Sequence, residues 1–425
     1  MTHFGIICPA VSGHLHPMTT LGYELKQRGH RVTLVGSLDA RSKALAAGLE
    51  FRAIGASAYP EGSVAAFSAQ QGKLSGLAAT RYTINWATES TIMLLKEAPL
   101  AIKQAGIDAL LIDQFSHAGG TIAQHLDIPY ISSCSCLMLN QEASVPPYTT
   151  TWQYNPAWWA RLRNQSLYQL LNFFGKPIRQ VVADYRRQWK LPPYSHPNQT
   201  YSQLCQVCQQ PAEFEFPRQK LPKSFHFTGP FHLPASREPI PFPWEKLTGQ
   251  PLIYASLGTL QNRLQGIFYD IAQACVGLDV QLVISLGGGM EEESVPTLPG
   301  NPLVVRYAPQ LELLQSATLC ITHAGINTVL EALSQGVPMV AIPITGDQPG
   351  VAARLAWVGA GEVIPLKRLH VPLLRRAIEQ VLTDPSYRHH AIRLKEAIAR
   401  SGGVKRSADI IEQVISTGKP VLASP

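Results

Sequence analysis

The sequence predicts an α/β protein built from two doubly wound lobes facing each other across a cleft. Three observations carry this expectation. Apolar runs of strand length alternate with helix-spaced segments in both halves of the chain. Eight prolines crowd between Pro217 and Pro251, and Pro239, Pro241 and Pro243 alternate as in an extended linker. The 425 residues suffice for two or three domains, each able to bury its own core. Two α/β domains of similar size place the expected site in the cleft between them.

In the first half, residues 4–8 form an expected strand, residues 18–28 a helix, and residues 31–35 a second strand after the turn at Gly29. Residues 109–112 make a strand ending at Asp113, followed by a helix over 119–125 and a strand over 130–133. After the prolines come strands at 252–256, 281–285, 303–306, 319–322 and 339–342. Helices are expected around 267–274, from Asn327, through Ala353, and at 374–381, 387–399 and 410–415. Such alternation builds parallel sheets covered by helices on both faces.

Composition narrows the function. The chain is 45% hydrophobic and 15% charged, with a formal charge of +7, which excludes a disordered chain and offers no basic tail for nucleic acid. No apolar stretch reaches the ~18–20 residues that span a bilayer. The N-terminal apolar run meets Pro9 too early for a signal peptide. Seven scattered cysteines fit a reduced cytoplasm, and neither Cys134/Cys136 nor Cys205/Cys208 sits among zinc-site histidines, which leaves a Cys205–Cys208 metal half-site as the minor alternative.

Residues 152–190 differ from the rest. They hold Trp152, Trp158, Trp159 and Trp189, seven basic residues and a single acid, Asp184. Either this is a helical excursion whose aromatics pack on their own domain, or it is a cationic aromatic surface that rests on anionic lipid or lines an apolar acceptor channel.

Two regions carry chemistry. In the second half, the run from His323 to Thr328 follows an apolar strand and precedes a helix. Gly325 lets the backbone approach a ligand, and the helix N–H groups with Asn327 and Thr328 suit a phosphate; an ordinary helix cap fits equally well. No GxxxxGK[ST] or GxGxxG motif supports ATPase or dinucleotide readings. Asp347 and Gln348, a carboxylate beside an amide, match vicinal sugar hydroxyls. In the first half, His14 sits in a glycine turn at the carboxyl edge of the first strand, placed to take a proton from a cleft-bound hydroxyl, and Asp113 ends another strand from which it can orient His14. The plain alternative is a pair of surface-loop histidines, His14 and His16, with Asp113 capping the next helix.

Together these residues resemble the UDP-sugar-dependent glycosyltransferases of the GT-B fold, which include plant, macrolide and carotenoid glycosyltransferases. The resemblance rests on Tyr307-Ala308-Pro309-Gln310, His323 through Glu331, Gly346-Asp347-Gln348, Ser256-Leu257-Gly258-Thr259 and the G-H-x-x-P turn at His14. The donor-lobe segments 255–261, 322–330 and 347–354 are similar to the bacterial carotenoid-glucosylating branch. The resemblance implies an acceptor-binding domain over 1–233, a linker over 234–250, a UDP-sugar-binding domain over 251–403, and a C-terminal helix over 404–425 that returns towards the first domain.

It also implies roles. His14 is the general base and Asp113 its charge-balancing partner in an inverting transfer. His323, Gly325, Asn327 and Thr328 hold the diphosphate, with Ser256, Gly258 and Thr259 in the opposite loop. Glu331 takes the ribose hydroxyls, Tyr307, Ala308 and Gln310 frame the uracil and ribose, and Asp347 with Gln348 holds the sugar. Tyr307 departs from the tryptophan frequent in the family and offers a smaller ring. The implied donor is UDP-glucose, used without a metal or a resident cofactor. The implied acceptor is a small hydrophobic alcohol, either a carotenoid such as zeaxanthin or a flavonoid or other phenolic. The expected protein is a cytoplasmic monomer, with peripheral contact to the inner face of a membrane through 152–190. A UDP-sugar epimerase would instead turn over UDP-N-acetylglucosamine without acceptor, and a silent UDP-sugar binder would be indifferent to His14.

Overall fold

The computed structural model describes residues 1–74, 76–236, 239–258, 265–288 and 296–423. The first lobe contains β1 (His3–Ile7), α1 (Ser12–Gln27), β2 (Arg31–Gly36), α2 (Arg41–Ala46), β3 (Glu50–Ala53), α3 (Ser63–Gln71), α4 (Gly76–Ala105), β4 (Ala109–Asp113), α5 (Gly119–Leu126), β5 (Tyr130–Cys134), α6 (Trp158–Phe174), α7 (Lys176–Gln188), β6 (Gln206–Cys208) and β7 (Phe225–Phe227). Its strands form one sheet in the order β3-β2-β1-β4-β5-β6-β7, and every pairing is parallel. The central strands β1, β4 and β5 are buried along their whole length, as expected where helices cover both faces.

The second lobe contains β8 (Leu252–Ser256), α8 (Gln265–Cys275), β9 (Gln281–Ser285), β10 (Leu303–Val305), α9 (Gln310–Ser316), β11 (Ala317–Thr322), α10 (Ile326–Ser334), β12 (Met339–Ala341), α11 (Gln348–Trp357), β13 (Gly361–Val363), α12 (Val371–Thr383), α13 (Pro385–Ser401) and α14 (Gly403–Thr417). Its strand order is β10-β9-β8-β11-β12-β13, again parallel throughout. Although α14 follows the second sheet, its Val404, Ala408, Ile410, Ile411 and Val414 are buried in the same core as Phe4, Leu21 and Leu34 of the first lobe. Arg28 fastens it further, with ion pairs to Asp409 and Glu412.

Each sheet changes direction once, between β1 and β4 in the first lobe and between β8 and β11 in the second. Ligands bind beyond the carboxyl ends of strands at such switch points, because the loops there diverge to opposite faces and leave a crevice. Asp113 ends β4 and the His14 segment follows β1; Ser256 ends β8 and His323 follows β11.

The main correction to the expected elements concerns His14. Helix α1 begins at Ser12, six residues before the periodicity suggested, so His14 lies in its first turn and not in a loop preceding it. Pro17 inside the pattern masks the helix start, since a proline at that depth reads as a breaker. Strands β3, β6, β7 and β13 and the 30-residue helix α4 went unrecognised. The four strands are only three or four residues long, too short for a periodic signal.

Candidate active site

The first lobe contributes a histidine held by a carboxylate. His14 Nδ1 lies 3.0 Å from Asp113 Oδ2, and Asp113 is 1% exposed. The second carboxylate oxygen accepts the Phe115 backbone N–H at 2.8 Å, while the Ser135 hydroxyl donates to Oδ2. With an acceptor on its Nδ1 side, His14 carries its proton there and presents the Nε2 lone pair outward. The Phe115 ring meets the imidazole edge-on at 4.9 Å, and the Cys136 sulfur lies 3.4 Å from Nε2.

Burial disfavours the imidazolium, while the thiolate form of Cys136 and the Asp113 carboxylate favour it and win, so the His14 pKa lies well above its ordinary value. Burial in turn pushes the Cys136 thiol up to about 11. The sequence marks Cys136 only as half of the Cys134/Cys136 pair and does not mark Ser135, and neither is expected beside His14. Their position just past β5 on the same sheet edge was the available signal.

In the second lobe, His323 follows β11 and its ring is wedged between two glycines. A Cβ at Gly258 or at Gly325 would lie 2.6 Å from the imidazole, and Gly258 also adopts φ +74°, so that position excludes a side chain on two counts. Burial pushes the His323 pKa down to about 4, which makes the ring a neutral hydrogen-bonding group at physiological pH. Among the described residues its Nδ1 is buried with no hydrogen-bond partner, the kind of atom that a ligand satisfies. Ser256 pairs in register with Thr322 beside it, and Thr259 lies outside the described residues.

Helix α10 begins at Ile326 with Gly325 as its N-cap, which offers no side chain to its first amides, so among the described residues these carry the positive end of the helix dipole uncapped. Asn327 Nδ2 donates to Gly13 O of α1 at 2.9 Å, and Gln209 Nε2 donates to Asn327 Oδ1 at 2.8 Å. The Gly13 carbonyl is open to this contact because residue 17, four positions on, is a proline without an N–H. Two uncapped helix N-termini, of α1 and α10, thereby meet across the cleft.

One turn along α10, Glu331 is 2% exposed. Gln310 Nε2 donates to Glu331 Oε2 at 2.5 Å and to Thr328 Oγ1 at 3.3 Å, and the Tyr254 hydroxyl donates to Gln310 Oε1 at 3.1 Å. Gln310, Thr328 and Glu331 are thus one cluster, to which the structure adds Tyr254 and His232, whose Nε2 is 3.8 Å from Glu331. Ala308 is buried nearby, whereas Tyr307 is 45% exposed and packs its hydroxyl against Gly288.

Asp347 and Gln348 open α11. Asp347 Oδ2 accepts the Leu137 N–H of the other lobe at 3.0 Å, and burial raises its pKa. Gln348 Oε1 accepts the backbone N–H groups of Ile344 and Thr345 at 2.9 and 2.8 Å, which fixes the loop that carries Asp347. Gly350 donates to Tyr148 O of the first lobe at 2.9 Å. Among the described residues no group of three or more His, Cys, Asp or Glu side chains gathers as a metal site.

The family described as UDP-glucoronosyl and UDP-glucosyl transferase matches residues 7–400, nearly the whole chain and both sides of this cleft. The chain belongs to that family. It is 32% identical to zeaxanthin glucosyltransferase of Pantoea ananas, an alignment covering 100% of this chain and 98% of the relative. It is 30% identical to zeaxanthin glucosyltransferase of Pseudescherichia vulneris, covering 99% and 100%. Among solved structures, the glycosyltransferase of kitacinnamycin superposes with a TM-score of 0.75 at 22% identity, covering 97% of this chain and 98% of that one. The calicheamicin glycosyltransferase CalG4 superposes at 0.74 and 22%, covering 99% and 100%. The two-lobed fold is therefore GT-B, and the protein is an inverting glycosyltransferase that draws on a UDP-sugar donor.

Proposed function

We propose that this enzyme transfers glucose from UDP-glucose to a hydroxyl of a small hydrophobic acceptor, with a carotenoid alcohol such as zeaxanthin the leading candidate. The observation that carries the reading is the His14–Asp113 pair at 3.0 Å, on the switch point that faces the donor lobe. His14 Nε2 takes the proton of the acceptor hydroxyl as that oxygen bonds to the anomeric carbon. The bond from that carbon to the diphosphate breaks, UDP leaves with the electron pair, and the configuration inverts. The imidazolium formed is balanced by Asp113.

His323, the Gly325 and Asn327 region and Thr328 hold the diphosphate, whose growing charge lies between the N-termini of α10 and α1. Ser256 and Gly258 back this site. Glu331 and Gln310 take the ribose, with Ala308 and Tyr307 beside the base. Asp347 and Gln348 bind the glucose hydroxyls, Asp347 exchanging its Leu137 contact for the sugar. The carotenoid assignment draws on the two relatives above, each named for zeaxanthin glucosylation.

The test is UDP release from UDP-glucose by the purified protein with zeaxanthin in detergent and, separately, with phenolic alcohols, beside His14→Ala. Turnover with zeaxanthin that falls ~10²–10⁴-fold in the variant supports the reading. Turnover only with phenolics replaces the acceptor, and UDP-N-acetylglucosamine conversion without any alcohol replaces the reaction.

A further inference from the structure

Helix α6 turns an apolar face towards solvent. Its inward residues Ala160, Asn164 and Tyr168 are buried, and Asn164 Nδ2 donates to Ala143 O at 3.1 Å. On the other side Trp158 is 73% exposed, Phe173 68%, Leu162 55%, and Trp159 and Leu170 48% each. At 3.6 residues per turn these five fall within an arc of about 120°. Exposed Ser166 and Gln169 lie within the same arc, yet five large apolar residues on one exposed helix face exceed the single ones that water-soluble proteins leave at their surface.

The charges of residues 152–190 are nearly all of one sign. Helix α6 contains no acidic residue, and Arg161, Lys176, Arg179, Arg187 and Lys190 of this segment are exposed. The only acid between 152 and 190, Asp184, is already paired with Arg187 at 3.4 Å. The remaining aromatics of the segment do pack internally: Trp189 stacks on His125 at 3.9 Å, and the Arg163 guanidinium covers Trp152 at 4.2 Å. Exposure is thus confined to the α6 arc.

We propose that this arc is an interfacial anchor that seats the acceptor lobe on an anionic lipid bilayer. Trp, Phe and Leu enter the headgroup and acyl boundary while the flanking Arg and Lys meet lipid phosphates. A symmetric contact between two copies is disfavoured, because it would set basic residues against basic residues with no carboxylate on the helix to pair them. The anchor also lies one layer from the reacting centre. Asn164 on the inner face of α6 holds Ala143, in the segment that runs on to Tyr148, whose ring is 6.5 Å from Phe115, itself 4.9 Å from His14. A hydroxylated acceptor dissolved in lipid would reach the base from that side, a consequence that rests on the glycosyl-transfer reading; the anchoring itself does not.

The experiment is flotation of the full chain with vesicles of phosphatidylcholine, alone or with phosphatidylglycerol, for the wild type and for the triple variant Trp158→Ser, Leu162→Ser, Phe173→Ser. A thermal shift by UDP confirms that each is folded. The expected result is binding to the phosphatidylglycerol vesicles with blue-shifted tryptophan emission, weakened by high salt and reduced about tenfold or more in the variant. The variant should still glucosylate a water-soluble alcohol. Absence of wild-type flotation, or equal flotation of the variant, overturns the proposal. A wild-type dimer that becomes a monomer in the variant, with no flotation of either, reassigns the arc to self-association. Flotation without transfer to any alcohol would overturn the glycosyl-transfer reading and leave the anchor standing.

Discussion

At the residue scale, His14 is the proposed general base, with its protonation set by Asp113. A general base must be neutral before it can act, and the His14 pKa is raised, so kcat/KM should rise with pH through a value above that of an ordinary histidine. Replacing Asp113 with Asn removes the negative charge that favours the imidazolium. The ascending limb should then move to lower pH while the plateau rate falls about a hundredfold or more, because the imidazolium formed in the transition state loses its balancing charge. A pH profile of kcat/KM for both proteins checks the shift; a limb that stays in place would mean that Asp113 only orients the ring. His14 and Asp113 were legible in the sequence because strand ends at a sheet edge are marked by Pro, Gly and abrupt polarity. Ser135, Cys136 and Tyr254 were not, because each acts through a neighbour far along the chain.

At the element scale, helix α1 carries the proposed base and one wall of the proposed diphosphate site, and Pro17 governs how it meets the other lobe. Without an N–H at residue 17, the Gly13 carbonyl is free to accept from Asn327. Pro17→Ala restores an intrahelical donor that competes for this carbonyl. The contact between α1 and α10 should weaken by about 1 kcal/mol, and the KM for the UDP-sugar should rise about fivefold with helix content unchanged. Steady-state kinetics with circular dichroism checks this. The same proline that makes this contact available also hid the true start of α1 from a reading by periodicity.

At the scale of the whole molecule, the lobes are joined by a buried ion pair. Arg354 of α11, 1% exposed, donates to Glu215 of the first lobe through Nε at 2.9 Å and Nη2 at 2.5 Å, and Arg218 lies 3.3 Å from the same carboxylate. Burial opposes ionisation of Glu215, but the two guanidinium groups outweigh it and hold its pKa below the ordinary range. Because the folded value is depressed, its stabilisation is present above the ordinary Glu pKa and lost as pH falls through the folded one. Glu215→Gln strands two buried cations and should cost about 3–5 kcal/mol by urea unfolding at pH 7. Arg354→Met should cost less, since Glu215 keeps Arg218. Nearby, a Cβ on Gly350 would meet Tyr148 O at 2.4 Å, so Gly350→Val should prise the lobes apart and raise the donor KM while leaving the second lobe folded. Equal donor KM in Gly350→Val and wild type would show that this contact does not set the closure.

The alternation of strand and helix, the proline-rich stretch, the positions of Asp113 and Ser256 at strand ends and of His323 just past one, and the family motifs were all determined locally, because hydrophobic period and turn chemistry act over a few residues. Only the tertiary structure decided that Asn327 reaches Gly13, that Asp347 engages Leu137, that Glu215 meets Arg354, and which tryptophans of residues 152–190 face water. These are contacts between segments up to 314 residues apart. They depend on how two independently wound sheets present their switch points to each other, a relation that no local pattern encodes.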